Sequence, residues 1–394
     1  MRYGAGLRLD RNELAGGFGD AGLFLPIAVA LIALNGLAAT AVFCGAGLAY
    51  VATALYFRVP VPVQPLKAFA AAAVALGLGA ETIAAGALLM ATAMFTLAVT
   101  GLADWAAARF PLVLIRGIQA SVALLLAKAA VELAERGNWN DLATIRPGWG
   151  VAMAVAACAF LFVSSRTARL PGSLIVLGTG AAVGIAAGNL PTHLALGPGA
   201  VSLSLPDGGS FETALTALVI AQIPLTFGNS VVATTDAERT YFGQRAIRVT
   251  PRRLASSIAT ANVFAGLTHG LPVCHGAGGV TAHYRLGART AGATVSAGLA
   301  YLGLGLLLGR SLPSVLLVIA PGALAGMLLF VAIQHARLAA QLDRLPDRLV
   351  AAGVGAVTII TGNLALGFAA GVAALLARGA WRRLTAGAES LARA

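Results

Sequence analysis

Two stretches decide how this chain is read: FRVPVPVQPLKAFAAAA at 57–73 and THGLPVCHGAGGVTAHYR at 268–285. Both lie in strongly apolar surroundings, and both open on proline, at Pro60, Pro62 and Pro65 in the first and at Pro272 in the second. Proline lacks an amide donor and pushes the residue before it towards extended backbone, so neither segment begins as helix. The residues that follow are helix-compatible. Each segment is therefore predicted to run extended and then wind into a helix. In a bilayer such unwound backbone is tolerated only where it is buried in protein or lines a cavity. The two stretches thus predict two helix N-termini placed near mid-membrane.

The membrane context comes from composition. Apolar residues make up 58% of the 394-residue chain, charged residues only 11%, and mean hydropathy is +0.85. A soluble domain carries about a quarter charged residues. The 48 glycines suit close helix–helix approach in a membrane bundle. A net charge of +12 would suit nucleic acid on a soluble face, but here the arginines fall between apolar runs, which is positive-inside topology and excludes a nucleic-acid partner. Cys44, Cys158 and Cys274 are too few and too embedded for a disulfide framework. The start, with Arg8 and Arg11 leading into a retained span, carries no recognisable signal peptide.

Fourteen transmembrane segments are expected, near 13–34, 37–57, 62–78, 82–103, 111–134, 148–164, 171–189, 211–234, 254–268, 273–285, 290–309, 313–335, 348–361 and 363–378. With both termini cytoplasmic, 21 arginines fall inside and only Arg136, Arg146 and Arg310 outside; Lys67, Arg116 and Lys128 lie within spans. An error in the span count would scramble this bias from that point on. The longest outer connection, Leu190–Ser210, holds no lysine or arginine; His193 there reads as a solvated loop residue.

Seven spans per half is odd, so the second half runs opposite to the first, the inverted arrangement common among secondary transporters. Faint traces support it. Gly19-Asp20 and Gly228-Asn229 are offset by 209 residues, and Pro62 and Pro272 by 210. The expected fold is an all-α polytopic membrane protein, a 7+7 inverted repeat with half-helices at spans 3 and 10.

Two facing helix starts suit an oxyanion. Each exposes unpaired amides and about half a positive charge. The candidate donors are the amides near Gln64 and Leu66, the Gln64 carboxamide, and the amides of His275, Gly276, Ala277 and Gly278, where glycine permits close approach. Lys67, three residues after Gln64 on the same helical face, either adds positive charge or pairs with an acid such as Asp20. Asp20, an intramembrane carboxylate in GGFGDAGLF, is a structural ion-pair partner or a proton carrier. Glu13 reads as interfacial, or as lining an inner vestibule. Gln222, Thr226, Asn229 and Ser230 form a polar stripe in AQIPLTFGNSVVATT, read either as interhelical hydrogen bonding or as part of the site. Asn229, in Asp20's place in the other half, is the strongest candidate among them.

Other chemistries fit poorly. His269, Cys274, His275 and His283 match no compact metal-ligand spacing, and no metal or cofactor is expected. No nucleophile-elbow sequence supports a hydrolase. Gly16-Gly17 lacks the strand–turn–helix context of a nucleotide loop, so it reads as packing.

The segments NELAGGFGDAGLFLPIAVAL, VPVPVQPLKAFAAAAVA, QIPLTFGNSVVAT and LPVCHGAGGVTAHYRLGART, spread over 12–290, resemble the signature segments of the molybdate-transporter family of bacteria and plants, a branch related to the sulfate permeases. The resemblance implies the fold shared by sulfate and nucleobase permeases. A substrate-carrying core would comprise 11–105 and 211–310 (spans 1–4 and 8–11), and a gate 110–190 and 312–380 (spans 5–7 and 12–14). The core would move against the gate like an elevator. The implied site involves Gln64 and the helix after it, His275–Gly278, Asp20 and Asn229. The cytoplasmic regulatory domain usual in sulfate permeases is expected to be missing. Nucleobase permeases generally place a glutamate at the start of span ten; here that place reads Cys274-His275-Gly276, which favours an anion.

The expected function is a carrier of a tetrahedral oxyanion, molybdate ahead of sulfate, in a bacterial-type inner membrane and as a homodimer. Proton symport, with Asp20 or His275 carrying the proton, suits a dianion entering against a negative-inside potential. A nucleobase or organic-anion carrier, an anion channel of the same fold, and a membrane enzyme are the competing readings.

Overall fold

The computed structural model describes residues 7–102, 111–135, 148–166, 172–191, 193–316 and 318–391. Arg2, Arg109, Arg136, Arg146, Arg169 and Arg393, part of the charge pattern above, lie outside the described residues. Also outside them are parts of the expected gate segment 110–190.

The first half comprises α1 (Arg11–Gly17), α2 (Ala21–Asn35), α3 (Ala39–Phe57), β1 (Gln64–Pro65), α4 (Lys67–Leu76), α5 (Ala80–Thr100), α6 (Leu112–Glu135), α7 (Trp149–Ser164) and α8 (Gly172–Ala186). The second half opens with α9 (Gly208–Ala246), one helical rod containing two π-helical stretches, Leu215–Val219 and Thr226–Ala233. Then follow α10 (Pro251–Leu267), β2 (Val273–Cys274), α11 (Ala277–Arg285), α12 (Gly292–Leu308), α13 (Leu312–Leu316), α14 (Pro321–Ala339), α15 (Leu345–Thr361) and α16 (Leu364–Leu391). Among the described residues four helices are long and apolar enough to cross a membrane: Ala39–Phe57, Ala80–Thr100, Leu112–Glu135 and Gly208–Ala246. Shorter apolar helices surround them.

The two opening stretches behave as proline chemistry dictates. Extended backbone at Gln64–Pro65 leads into α4, and at Val273–Cys274 into α11. Several expected boundaries change. The first span is broken at Phe18–Asp20 into α1 and α2. The eighth continues well past 234 as a polar helix, because a loss of hydropathy does not itself end a helix. The twelfth is split, with Pro321 starting α14, a position where proline's missing donor costs nothing. The fourteenth extends to Leu391.

Helix packing repeats between the halves. The helix α3 lies along α12, and α5 along α10; in span numbers these are 2 with 11 and 4 with 9. Likewise α7 packs on α14 and α15 on α6, while α6 and α14 pack on each other. Exchanging the halves converts each contact into its counterpart. Close approach of α3 and α12 depends on Gly47 and Gly298, since a Cβ on either would meet the carbonyl oxygen of the other. Beside this contact Tyr301 stacks on Phe24 (centroids 4.6 Å apart) and touches Tyr50 (5.6 Å), so an aromatic cluster fixes Tyr50.

Candidate functional site

The chain enters both extended segments through the same unusual backbone. Arg58, after α3, and His269, after α10, are the two described non-glycine residues with positive φ, at 60° and 51°. Left-handed backbone at a side-chain-bearing residue costs roughly 1 kcal/mol, and here it turns each chain sharply into its strand. The strands then pair antiparallel, Gln64 opposite Cys274 and Pro65 opposite Val273. The Leu66 amide extends the ladder by donating to the Pro272 carbonyl at 3.0 Å. Asn262, buried on α10, clamps β2 from behind: its carboxamide donates to the Val273 carbonyl (2.6 Å) and accepts from the Val273 amide (3.0 Å).

His275 is a second clamp. Its Nδ1 lies 2.7 Å from the Pro62 carbonyl and its Nε2 3.1 Å from Ser257 Oγ. A carbonyl can only accept, so Nδ1 carries the proton, and in the neutral ring Nε2 accepts from the Ser257 hydroxyl. Both ring nitrogens are thus engaged on the α10 side of the strands.

On the opposite side the polar side chains form a continuous chain. Lys67 Nζ donates to Gln64 Oε1 at 2.7 Å, and Gln64 Nε2 donates to Asp20 Oδ2 at 3.0 Å. The Tyr50 hydroxyl donates to Asp20 Oδ1 at 3.4 Å, and His283 Nε2 on α11 lies 3.4 Å from the same oxygen. All five residues are buried. The charges at either end fix how Gln64 is turned, since the reverse would set an amide donor against an ammonium and an oxygen against a carboxylate. Asp20 is free to do this because it opens α2 without capping it.

The Gln64 carboxamide rests on the first turn of α11. A Cβ on Gly276 would collide with Gln64 Oε1 and approach Lys67 Nζ to 3.3 Å; one on Gly279 would collide with Gln64 Nε2. Glycine at these places is a steric requirement. Gly278 differs, for a Cβ there meets nothing within 4 Å, and Gly278 is exposed with Ala277 half-buried beside it. The first turn of α11 thus lies beside Gln64 and Lys67, and among the described residues the Ala277 and Gly278 amides donate no hydrogen bond. Such amides have no partner within their own helix and carry partial positive charge.

Of the residues singled out in the sequence, Asp20, Gln64, Lys67, Gly276, Ala277 and Gly278 converge here. Three depart from expectation. The Leu66 amide, expected to face a ligand, is consumed by the strand ladder. Lys67 meets Asp20 only through Gln64. The His275 ring turns towards Pro62 and Ser257, leaving its backbone as its link to the site. Asn229 lies half-buried in the second π-helical stretch of α9, and among the described residues its carboxamide forms no hydrogen bond. Gln222 serves the α4 start, accepting from the Phe69 amide at 2.8 Å while donating to Thr226 at 2.8 Å. Glu13 does not line an open vestibule. It is buried and accepts from the amides of Arg289 (3.1 Å) and Thr290 (3.2 Å) before α12.

Sequence reading missed Tyr50 and His335. Tyr50 sits in an apolar run with nothing to mark it. His335, buried on α14, did carry a signal, being an ionisable residue inside an expected span. On α6, Arg116 donates to Gln119 (2.9 Å) and Gln341 (3.1 Å). Among the described residues no cluster of three or more histidine, cysteine or acidic side chains could hold a metal.

Comparison with known proteins places this geometry in context. The family described as "Molybdate transporter of MFS superfamily" matches residues 12–126 and 214–334. Molybdate transporter 2 of Arabidopsis thaliana is 29% identical over 92% of this chain and 86% of its own length. Molybdate transporter 1 of Chlamydomonas reinhardtii is 27% identical over 97% of this chain and 94% of its own. Among solved structures, the transmembrane domain of the cyanobacterial bicarbonate transporter BicA aligns with a TM-score of 0.67 at 17% identity, covering 92% of this chain and 97% of that one. The inward-facing murine anion transporter Slc26a9 aligns at 0.66 and 16% identity, covering 94% of this chain and 68% of that one. The overall fold is the one these transporters share.

Proposed function

This chain belongs to the molybdate transporter family, and from that premise we propose that it is a secondary active carrier of a tetrahedral oxyanion, molybdate ahead of sulfate. The carrying observation is the Lys67–Gln64–Asp20 chain laid against the open first turn of α11. An oxyanion offers only acceptors. The amides of Ala277 and Gly278, the Lys67 ammonium and the Lys67 and Ala68 amides at the start of α4 are the proposed donors, the Phe69 amide being held by Gln222, and Asn229 on α9 is the proposed further contact. Relatives named as molybdate transporters support molybdate over sulfate.

Asp20 gives the site a reason to couple to protons. Its carboxylate is the intramembrane acid of the site, joined to Lys67 through Gln64, and is the proposed carrier of the coupling proton. Symport then follows, with Asp20 the carrier in preference to His275, whose nitrogens serve the backbone clamp. A proton entering with a dianion lowers the work done against a negative-inside potential.

The fourteen-span, seven-plus-seven inverted reading is supported by the exchange of helix contacts between halves and by the antiparallel pairing of β1 with β2. Halves of the MFS type would instead be related by an axis along the membrane normal. On this reading α4 and α11 are the half-helices of spans 3 and 10. The core, 11–105 and 211–310, would carry the site against a gate of 110–190 and 312–380. An inner-membrane location with both termini cytoplasmic rests on the arginine bias, and a homodimer on likeness to related carriers.

Uptake of labelled molybdate into proteoliposomes tests the proposal. Saturable uptake, competed by tungstate and sulfate and raised by an inward proton gradient, is expected. Asp20→Asn should keep molybdate binding and lose the response to the gradient. Linear, unsaturable flux would instead reveal a channel.

A further inference from the structure

Behind the strand pair lies a groove of about 540 Å³ with no part in the anion site. Its walls are α3, through Leu48, Ala52 and Tyr56, and α10, through Ser257 and Phe264; its floor includes Val273, Cys274 and His275. The rim is apolar and outward-facing, with Leu48, Tyr56 and Phe264 each at least 40% exposed. The neighbouring Leu55 and Val263 are exposed too, so the groove opens on an apolar, outward-facing flank of the protein. The groove hydroxyls do not make it polar: Ser256 and Thr260 bond back to their own helix, and Ser257 is taken by His275.

One end is different. Arg253 lines the groove where α10 begins, next to Arg252 and near Arg248, which reaches the Tyr56 carbonyl. Among the described residues no carboxylate pairs with any of these three arginines, and no acidic residue lines the groove. By the arginine bias this is the cytoplasmic end. An apolar, outward-facing trench, closed at one end by guanidinium groups that bond backbone carbonyls but meet no carboxylate among the described residues, has the charge and polarity profile of one kind of molecule. We propose that the groove holds an acyl chain of an anionic phospholipid from the cytoplasmic leaflet, with its phosphate on Arg253 and its neighbours.

On the groove side the strands are covered by α10, whose Asn262 clamps Val273, and their residues are buried; the groove lies over Val273, Cys274 and His275. A lipid seated there would lie against the His275 ring that holds Pro62.

Native mass spectrometry of the purified protein, offered phosphatidylglycerol and phosphatidylcholine with matched acyl chains, reads this without any transport measurement. The wild type should retain one phosphatidylglycerol in clear preference. Arg253→Gln should lower that preference about fivefold, the effect of one basic residue at an anionic headgroup. Ala52→Trp, a filling substitution at an exposed wall position, should remove retention of both lipids while the protein stays monodisperse. Equal retention of the two lipids, or retention unchanged in Ala52→Trp, overturns the proposal. So does disulfide-linked dimer formation through Ala52→Cys, which would make the groove a contact between two copies of the chain.

Discussion

Lys67 and Asp20 are joined without touching: Gln64 takes a hydrogen bond from the lysine at 2.7 Å and gives one to the aspartate at 3.0 Å. A direct ion pair would spend both charges on each other. A neutral amide between them keeps an ammonium and a carboxylate in one buried site while leaving the ammonium two further donors.

The spacer should therefore be sensitive to chemistry rather than bulk. Gln64→Ala removes two hydrogen bonds to charged groups, each worth about 1.5–3 kcal/mol, and should weaken molybdate binding about tenfold to a hundredfold or more. Gln64→Glu keeps the shape but sets a carboxylate against Asp20, and should bind worse than Gln64→Ala at neutral pH. Equilibrium binding of labelled molybdate to the purified protein measures both.

The glycines of α11 divide sharply. Gly276→Ala places a methyl against Gln64 Oε1 and near Lys67 Nζ, so it should displace the carboxamide and lose binding on the scale of Gln64→Ala. Gly278→Ala meets nothing within 4 Å and should leave thermal stability unchanged. It should nonetheless impair uptake, because its methyl stands in the space assigned to the anion. Melting curves beside uptake assays separate the two effects.

Glu13 predicts a stability effect. Replacing it by alanine leaves the buried Thr290 amide without its acceptor, costing about 1–3 kcal/mol. Glu13→Gln, which retains an accepting oxygen, should lose less. Thermal unfolding in detergent should rank wild type, Glu13→Gln and Glu13→Ala in that order.

At the start of α9, outside the membrane, Asp207 accepts from the Ser210 amide and hydroxyl, both at 2.9 Å. The amide bond, foremost, and then the hydroxyl hold its carboxyl below the ordinary range. A depressed folded value means the contribution is complete above the unfolded value, about pH 4, and disappears as pH falls through the folded one. The melting-temperature gap between wild type and Asp207→Ala should be constant from neutral pH down to about 5, then close on further acidification.

Prolines carried most of the legible architecture. Pro62, Pro65 and Pro272 deny the helix its donors wherever they sit, so extended backbone before α4 and α11 could be read without knowing the partner strand. Gly276 and Gly278 could be flagged for the same local reason. Partners were harder. That Leu66 would give its amide to Pro272, and that Tyr50 and His283 would meet at Asp20, depends on which helices pack together, and local sequence does not encode that. The partners of Glu13 were equally hidden, since the amides it accepts from belong to a loop 276 residues later. His335 was visible as an ionisable side chain in an apolar run and was passed over.

The two-residue ladder between β1 and β2 has a thermodynamic corollary. Gln64 and Cys274 are partners in one sheet, Leu66 is bonded to Pro272, and Pro62 to His275, so the two walls of the pocket share a single backbone seam. Prising them apart would expose amides with no replacement partner. On the proposed elevator motion the site would move as one body, presenting the same donors at the same spacing to either aqueous phase, with equal intrinsic affinity for the anion on both faces. Net direction would then belong to the ion gradients outside the protein, and reversing those gradients should reverse the proposed transport at undiminished affinity.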